Sequence, residues 1–155
     1  MVRPQKILVA YDGSVQSRAA LHWAIDFSLI TGASVIAAKV VEPVEMNRAY
    51  ALYEAGYGST LIERFAEMQK IDQQQMADAV EIGKNNGIVV KTLTLKGNIA
   101  AALYEYAKDH DVDLIVAGTK GGGALKGMLM GSVTRNLVSL SHIPVLVVKS
   151  WHEQN

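Results

Sequence analysis

Lys6–Tyr11 reads KILVAY, an unbroken apolar run that stops at Asp12-Gly13-Ser14. A short apolar run bounded by turn residues predicts a buried strand. The period then changes: Ala19, Ala20, Trp23, Ala24, Phe27 and Ile30 recur at three- and four-residue intervals up to Thr31-Gly32. That spacing predicts a helix of about four to five turns, with Ser14 as N-cap and Gly32 just past its end. Ser34–Val41 (SVIAAKVV) returns to the strand pattern and ends at Glu42-Pro43. Between Pro43 and Thr60 no clean period exists, and Tyr50, Tyr53, Gly56, Tyr57 and Gly58 predict a surface loop with room for a helical turn. Long loops of this kind often act as lids, so a lid insertion is expected at about 43–60.

Leu61–Asn86 lacks proline and spaces Leu61, Phe65, Met68, Ile71, Met76, Val80 and Ile82 as the longest helix. Ile88–Leu95 alternates Val90, Leu93 and Leu95 with Lys91, Thr92 and Thr94, the mark of a less buried strand at a sheet edge. Gly97-Asn98 opens a helix running to about Ala107, and Val112–Gly118 (VDLIVAG) is a fourth strand. Gly131-Ser132 opens a short helix to Leu140, and Pro144–Lys149 (PVLVVK) is the last strand. Strands alternate with helices, and the strands are apolar without clean alternation. A parallel sheet covered by helices on both faces follows. The common five-stranded layout places strand 1 centrally, with a crevice at the C-terminal ends of strands 1 and 4, beside Asp12 and Gly118.

Composition narrows the class. The 155 residues are half apolar, enough for one domain with a full core, and no internal repeat divides them. Lys plus Arg and Asp plus Glu balance at 15 each, which removes bulk attraction to nucleic acid. Cysteine is absent, excluding disulfides, thiolate nucleophiles and cysteine-ligated metal sites. The four histidines have no ligand spacing among them. No segment reads as a signal peptide or a membrane span, and a reducing cytoplasmic setting is the expectation.

The densest chemistry follows strand 4. Gly118, Gly121, Gly131 and Ser132 form Gly-x2-Gly-x9-Gly-Ser. Glycines let backbone N–H groups approach an oligoanion, and Gly131-Ser132 sets amides and a hydroxyl at a helix N-terminus. The spacing fits neither a Walker A loop nor Gly-x-Gly-x-x-Gly. On glycine content alone, a surface loop with Ser132 as an ordinary N-cap is an equal reading. Lys120, Lys126 and Arg135 flank the segment as phosphate partners or as solvated surface charge. Asp109, His110, Asp111 and Asp113 cluster before strand 4, at the wrong end of the sheet for the crevice.

ILVAYDGS at Ile7–Ser14, VVEP at Val40–Pro43, Gly97-Asn98, DLIVAG at Asp113–Gly118, the glycine spacing, GSVT at Gly131–Thr134 and IPVLVVK at Ile143–Lys149 together span nearly the whole chain. In these segments the chain resembles the ATP-binding branch of the universal stress protein family. The resemblance implies a doubly wound α/β domain of the adenine nucleotide alpha hydrolase-like kind, with strand order 3-2-1-4-5. It implies ATP, ADP or AMP as ligand, with magnesium carried on the phosphates beside Asp12. The matching positions are Ala10, Tyr11, Asp12 and Val40, then Ala117, Gly118, Thr119 and Gly121, then Gly131, Ser132, Val133 and Thr134. Asp12 would face the nucleoside, Val40 the adenine, and Gly131–Thr134 the phosphates. The residue before Val40, often histidine in the family, is Lys39. Tyr11 replaces a smaller residue, either narrowing the crevice or filling the core between sheet and helix.

Three functions remain open on the sequence: a nucleotide-binding regulator that signals to an unidentified protein partner, a slow ATPase, and an interaction module whose glycine loop is a relic. Efficient phosphoryl transfer would need more acidic groups than Asp12 supplies. The last strand adds an expectation about assembly. It lies at a predicted edge, carries Lys149 as its single charge, and only Trp151–Asn155 follow to cover it. A two-fold dimer pairing Val145, Leu146, Val147 and Val148 of two copies is expected, as the resemblance also implies.

Overall fold

The computed structural model describes residues 3–120 and 130–149. Five strands form one parallel sheet: β1 (Lys6–Ala10), β2 (Ser34–Val41), β3 (Val90–Lys96), β4 (Leu114–Gly118) and β5 (Val145–Val148). Their order is β3-β2-β1-β4-β5, the doubly wound arrangement expected. The central register pairs Ile7 with both Val35 and Leu114, so β1 is flanked by β2 and β4. Five α-helices connect or follow them: α1 (Val15–Thr31), α2 (Pro43–Leu52), α3 (Gly58–Asn85), α4 (Ile99–Asp109) and α5 (Ser132–Leu140).

Successive strand residues point to opposite faces, and the chain uses this to build two cores. Ile7, Val9 and Tyr11 join Val35, Ala37 and Val116 beneath α1 and the lower part of α3. Leu8, Ala38, Ile115 and Ala117 join Leu103, Ala107 and Leu137 beneath α4 and α5. Both faces of β1 are therefore dry, which explains the unbroken apolar run. β3 lies at one edge with Lys91, Thr92 and Thr94 exposed, as its alternation predicted, and β5 lies at the other.

The segment at 43–60, expected to be a loop, is helical. Pro43 starts α2 after an extended Glu42, a position where its missing N–H costs nothing. A wide turn at Tyr53–Tyr57, kinked at Gly56 with φ 91°, joins α2 to α3. The glycine and tyrosine residues of that turn hid the helical period; α2 owes its place to packing against α3, and Ala49 and Leu61 are buried in this hairpin. At the opposite end of the sheet, Asp113 accepts from the backbone N–H of Gln5 and Lys6, and Lys6 Nζ donates to the His110 carbonyl. The acidic cluster thus ties the N-terminal strand down, away from the crevice.

Candidate functional site

The pairing of β1 with β4 ends at Val9 and Val116, one and two residues before the strands do, and beyond it Gly118 comes against Gln16 at the start of α1. After β1, Asp12 turns the chain: its carboxylate accepts from Ser14 N at 2.9 Å, an Asx turn, and Gly13 takes φ 79°. The Ser14 hydroxyl accepts from Ser17 N and caps α1, while the buried Ser17 hydroxyl accepts from Asp12 N. Local sequence fixes this corner, because an Asp-Gly-Ser-x-x-Ser stretch supplies both side-chain acceptors and the positive φ.

After β4, Gly118 is buried between two helix starts. A Cβ there would lie 2.9 Å from the backbone carbonyl of Gln16 in α1. On the other side, Thr134 of α5 donates its hydroxyl proton to the Gly118 carbonyl at 2.8 Å. Thr119 N–H bonds the Val148 carbonyl, and Gly131 N–H bonds the Thr119 carbonyl at 2.7 Å. These bonds bring β4, β5 and the start of α5 into one corner. α5 itself has Gly131 at its N-cap, with no side-chain hydrogen bond capping it. The first amides of a helix lack intrahelical acceptors and carry the positive end of the dipole, so this corner is suited to an anion.

The predicted site residues separate by face. Ala10, Val40 and Ala117 belong to the α4/α5 side, the side on which α5 begins, so an apolar floor leads to the start of that helix. Tyr11 points the other way. Its ring fills the core beneath α1, only 2% exposed, so packing is its role and its side chain does not line the crevice floor. Burial holds its phenol above the usual pKa, an effect that Arg18 opposes. Its hydroxyl has no hydrogen bond of normal geometry, while Arg18 is ion-paired to Asp78 at 2.7 Å. Lys39 also points to the α1/α3 side, where it forms an ion pair with Asp72 and donates to Gln75 Oε1 at 2.7 Å.

Gly121 and Lys126 lie outside the described residues. Lys120 is half-buried beside Thr119, and Arg135 is exposed on α5. Among the described residues no group of three His, Asp or Glu could hold a metal ion. Sequence reasoning missed Ser17, for which the Ser14-x-x-Ser17 repeat was the available signal. It also missed Asp72 and Gln75, which no local pattern connects to the crevice.

The universal stress protein family model matches residues 4–149, the whole of this sheet and its helices. The chain belongs to the universal stress protein family. A universal stress protein of Mycolicibacterium smegmatis is 32% identical over 145 residues, 92% of this chain and 47% of the relative, so the chain spans about half of that protein. Universal stress protein MJ0531 of Methanocaldococcus jannaschii is 31% identical, with 94% of this chain and 82% of the relative covered. Among solved structures, the protein MJ0577 superposes with a TM-score of 0.81 at 27% identity, covering 98% of this chain and all of that one. A universal stress protein solved in complex with cAMP superposes with a TM-score of 0.67 at 25% identity, covering 96% and 98% of the two chains. No helix of this universal stress protein, among the described residues, is long and apolar enough to cross a membrane.

Proposed function

We propose that the protein is a regulatory module that binds ATP or a related adenine nucleotide at the C-terminal ends of β1 and β4. The observation that carries this reading is the corner where Gly118, pressed against α1, meets the start of α5, which lacks a capping side chain. Bare backbone and helix amides converge there, which is what polyphosphate recognition requires. The intact glycine spacing and the cAMP complex of a structural relative support it. Val40 would pack on the base, Asp12 would face the ribose, and Gly131, Ser132, Val133 and Thr134 would hold the phosphates. Magnesium would arrive with the phosphates beside Asp12, since among the described residues no group of three His, Asp or Glu could hold it. With so little acid–base equipment, hydrolysis would be slow and binding the principal act.

A melting curve with millimolar ATP and magnesium tests the reading. At a hundredfold excess over a micromolar Kd, linkage adds about 2.7 kcal/mol, and the midpoint rises by about 5–10 °C for a domain of this size. Gly131→Val, which puts a branched side chain where the phosphates would approach, should lose that shift and at least tenfold in affinity while remaining folded. An unchanged melt of the native protein in ATP overturns the assignment.

The assembly proposed is a homodimer through β5. Val145, Leu146 and Val147 are only half-buried on an edge strand, so pairing with the same strand of a second copy would cover them. Light scattering at tens of micromolar should report a dimer, and Val147→Lys should report a monomer. A monomeric native protein, or a dimeric variant, refutes the pairing.

A further inference from the structure

The longest helix of the protein is longer than the sheet it packs on. α3 has 28 residues and so spans about 42 Å, whereas β2, the longest strand at eight residues, spans about 26 Å. Two contacts fix the level of the helix against the sheet. Asp72 and Gln75 hold Lys39 near the C-terminal end of β2, and the Gln75 side chain lies over Gly13, where an added Cβ would come within 2.7 Å of its Cγ. Below this level, Met76, Ala79 and Ile82 join the core. Beyond it, residues 58–71 continue the helix for about 21 Å, while β2 continues only to Val41, and α2 packs on this part of the helix. This arm buries little: Ala49 and Leu61 are covered, while Tyr53, Tyr57, Ile62 and Ile71 are exposed. A segment with so few buried contacts opens locally at low cost.

The residues that hold the arm touch the proposed nucleotide crevice from behind. Lys39 immediately precedes Val40 on β2, and the two side chains leave the strand on opposite faces. Gly13 immediately follows Asp12. We propose that Lys39, Asp72 and Gln75 form a clasp coupling the α2–α3 arm to the nucleotide crevice. A ligand seated on Val40 and at the Asp12–Gly13 turn holds β2 and that turn in the positions the clasp requires. Closing the clasp orders the arm, and by linkage an ordered arm raises nucleotide affinity by the same factor. The inference rests on the nucleotide reading above and adds its regulation: occupancy of the crevice is transmitted to an apolar helical hairpin on the far side of the sheet from α5.

Hydrogen exchange followed by mass spectrometry, on the full chain with and without saturating ATP, tests the clasp, with equilibrium dialysis run in parallel. In the native protein ATP should slow exchange across residues 58–71 by at least threefold. In Lys39→Met that ligand-dependent slowing should disappear and affinity should fall about three- to tenfold, with Lys39→Arg restoring both. Gln75→Ala, which keeps the Lys39–Asp72 ion pair and removes both the Lys39 hydrogen bond and the contact over Gly13, should lose at least half of the slowing and serves if Lys39→Met does not fold. A merely structural ion pair would speed exchange of the arm equally with and without ATP, leaving the ligand effect intact, and that result overturns the proposal. So does ATP that binds by dialysis without slowing the arm. Absence of binding by dialysis overturns the crevice reading itself and the clasp with it.

Discussion

Four helices begin at the C-terminal edge of the sheet, after β1, β2, β3 and β4, and those that follow the adjacent strands β1 and β4 begin in different ways. α2, after β2, also lacks a side-chain cap but starts with Pro43, whose missing N–H removes one unpaired donor. α1 starts with its own acceptors in place: the Ser14 hydroxyl receives Ser17 N–H, and Asp12 receives Ser14 N–H. α5 has Gly131 at its N-cap, a residue with no side chain to do this, and its Thr134 hydroxyl is spent on the Gly118 carbonyl. α4, at the same edge, is capped by Asn98, which accepts from Ala101 N. Capping by a side chain stabilises a helix start by about 1 kcal/mol. At α5 the cap is missing next to a bare glycine strand end, and under the proposed function the phosphates of the ligand would supply the acceptor. Gly118 is the hinge of the contrast, since it touches α1 through its Cα and α5 through its carbonyl.

The largest expected effect comes from breaking that hinge. Gly118→Val would drive a side chain into the backbone of Gln16, which cannot swing aside as a flexible side chain can. Overpacking of this kind costs about 1–3 kcal/mol, and thermal melts should fall by roughly 3–10 °C. A variant melting like the native protein would mean that α1 and α5 are not held by their common approach to this glycine.

Exchanging the caps sharpens the contrast. Ser14→Ala should cost about 1 kcal/mol of stability and leave nucleotide affinity within about twofold. Gly131→Ser should do the reverse. Its hydroxyl can satisfy the α5 amides, raising stability by a few tenths of a kcal/mol, while competing with phosphate and weakening ATP binding by about three- to tenfold, or about 0.7–1.4 kcal/mol. Calorimetry on both variants, paired with thermal melts, checks the crossed pattern; parallel changes in the two would show that the two helix starts serve the same purpose.

The smallest effect belongs to Tyr11, which lies on the α1 side and off the crevice floor. Tyr11→Phe removes a buried hydroxyl that has no hydrogen bond of normal geometry, so a gain of about 0.5–1 kcal/mol is expected with ATP affinity unchanged. The pH dependence has a definite sign. Burial raises the folded-state pKa above the value of 10.0 for a free phenol, so the neutral phenol's stability is fully present below about pH 10 and is lost as pH rises through the folded value. Melts of Tyr11→Phe between pH 9 and pH 11 should lack that alkaline loss. An equal loss in both proteins would place the titrating group elsewhere.

The corner after β1 was legible because its parts are local. The Asx turn at Asp12 and the cap at Ser14 are each written within a few residues, and the period-two and period-three-to-four patterns set nearly every strand and helix. α2 was not legible, since its start depends on Pro43 and its place on packing against α3. The apolar face of α3 was read correctly as a helix, but no periodicity could tell that its first half continues beyond the clasp while its second half packs on the sheet.

Sequence by itself determined the alternation of strands and helices, and with it a parallel sheet dry on both faces with β1 and β4 side by side at its centre. Backbone conformation and amphipathic period act over two to four residues, so a single chain records them. Tertiary structure alone decided that Tyr11 faces the core while Val40 faces the crevice side, that Gly118 is pressed between Gln16 and Thr134, and that Lys39 reaches Asp72 and Gln75. Those partners are separated by tens of residues in the chain. They meet only when helices dock on the sheet at a particular height and rotation, and that docking is set by the summed packing of both cores rather than by any pattern local to the residues it brings together.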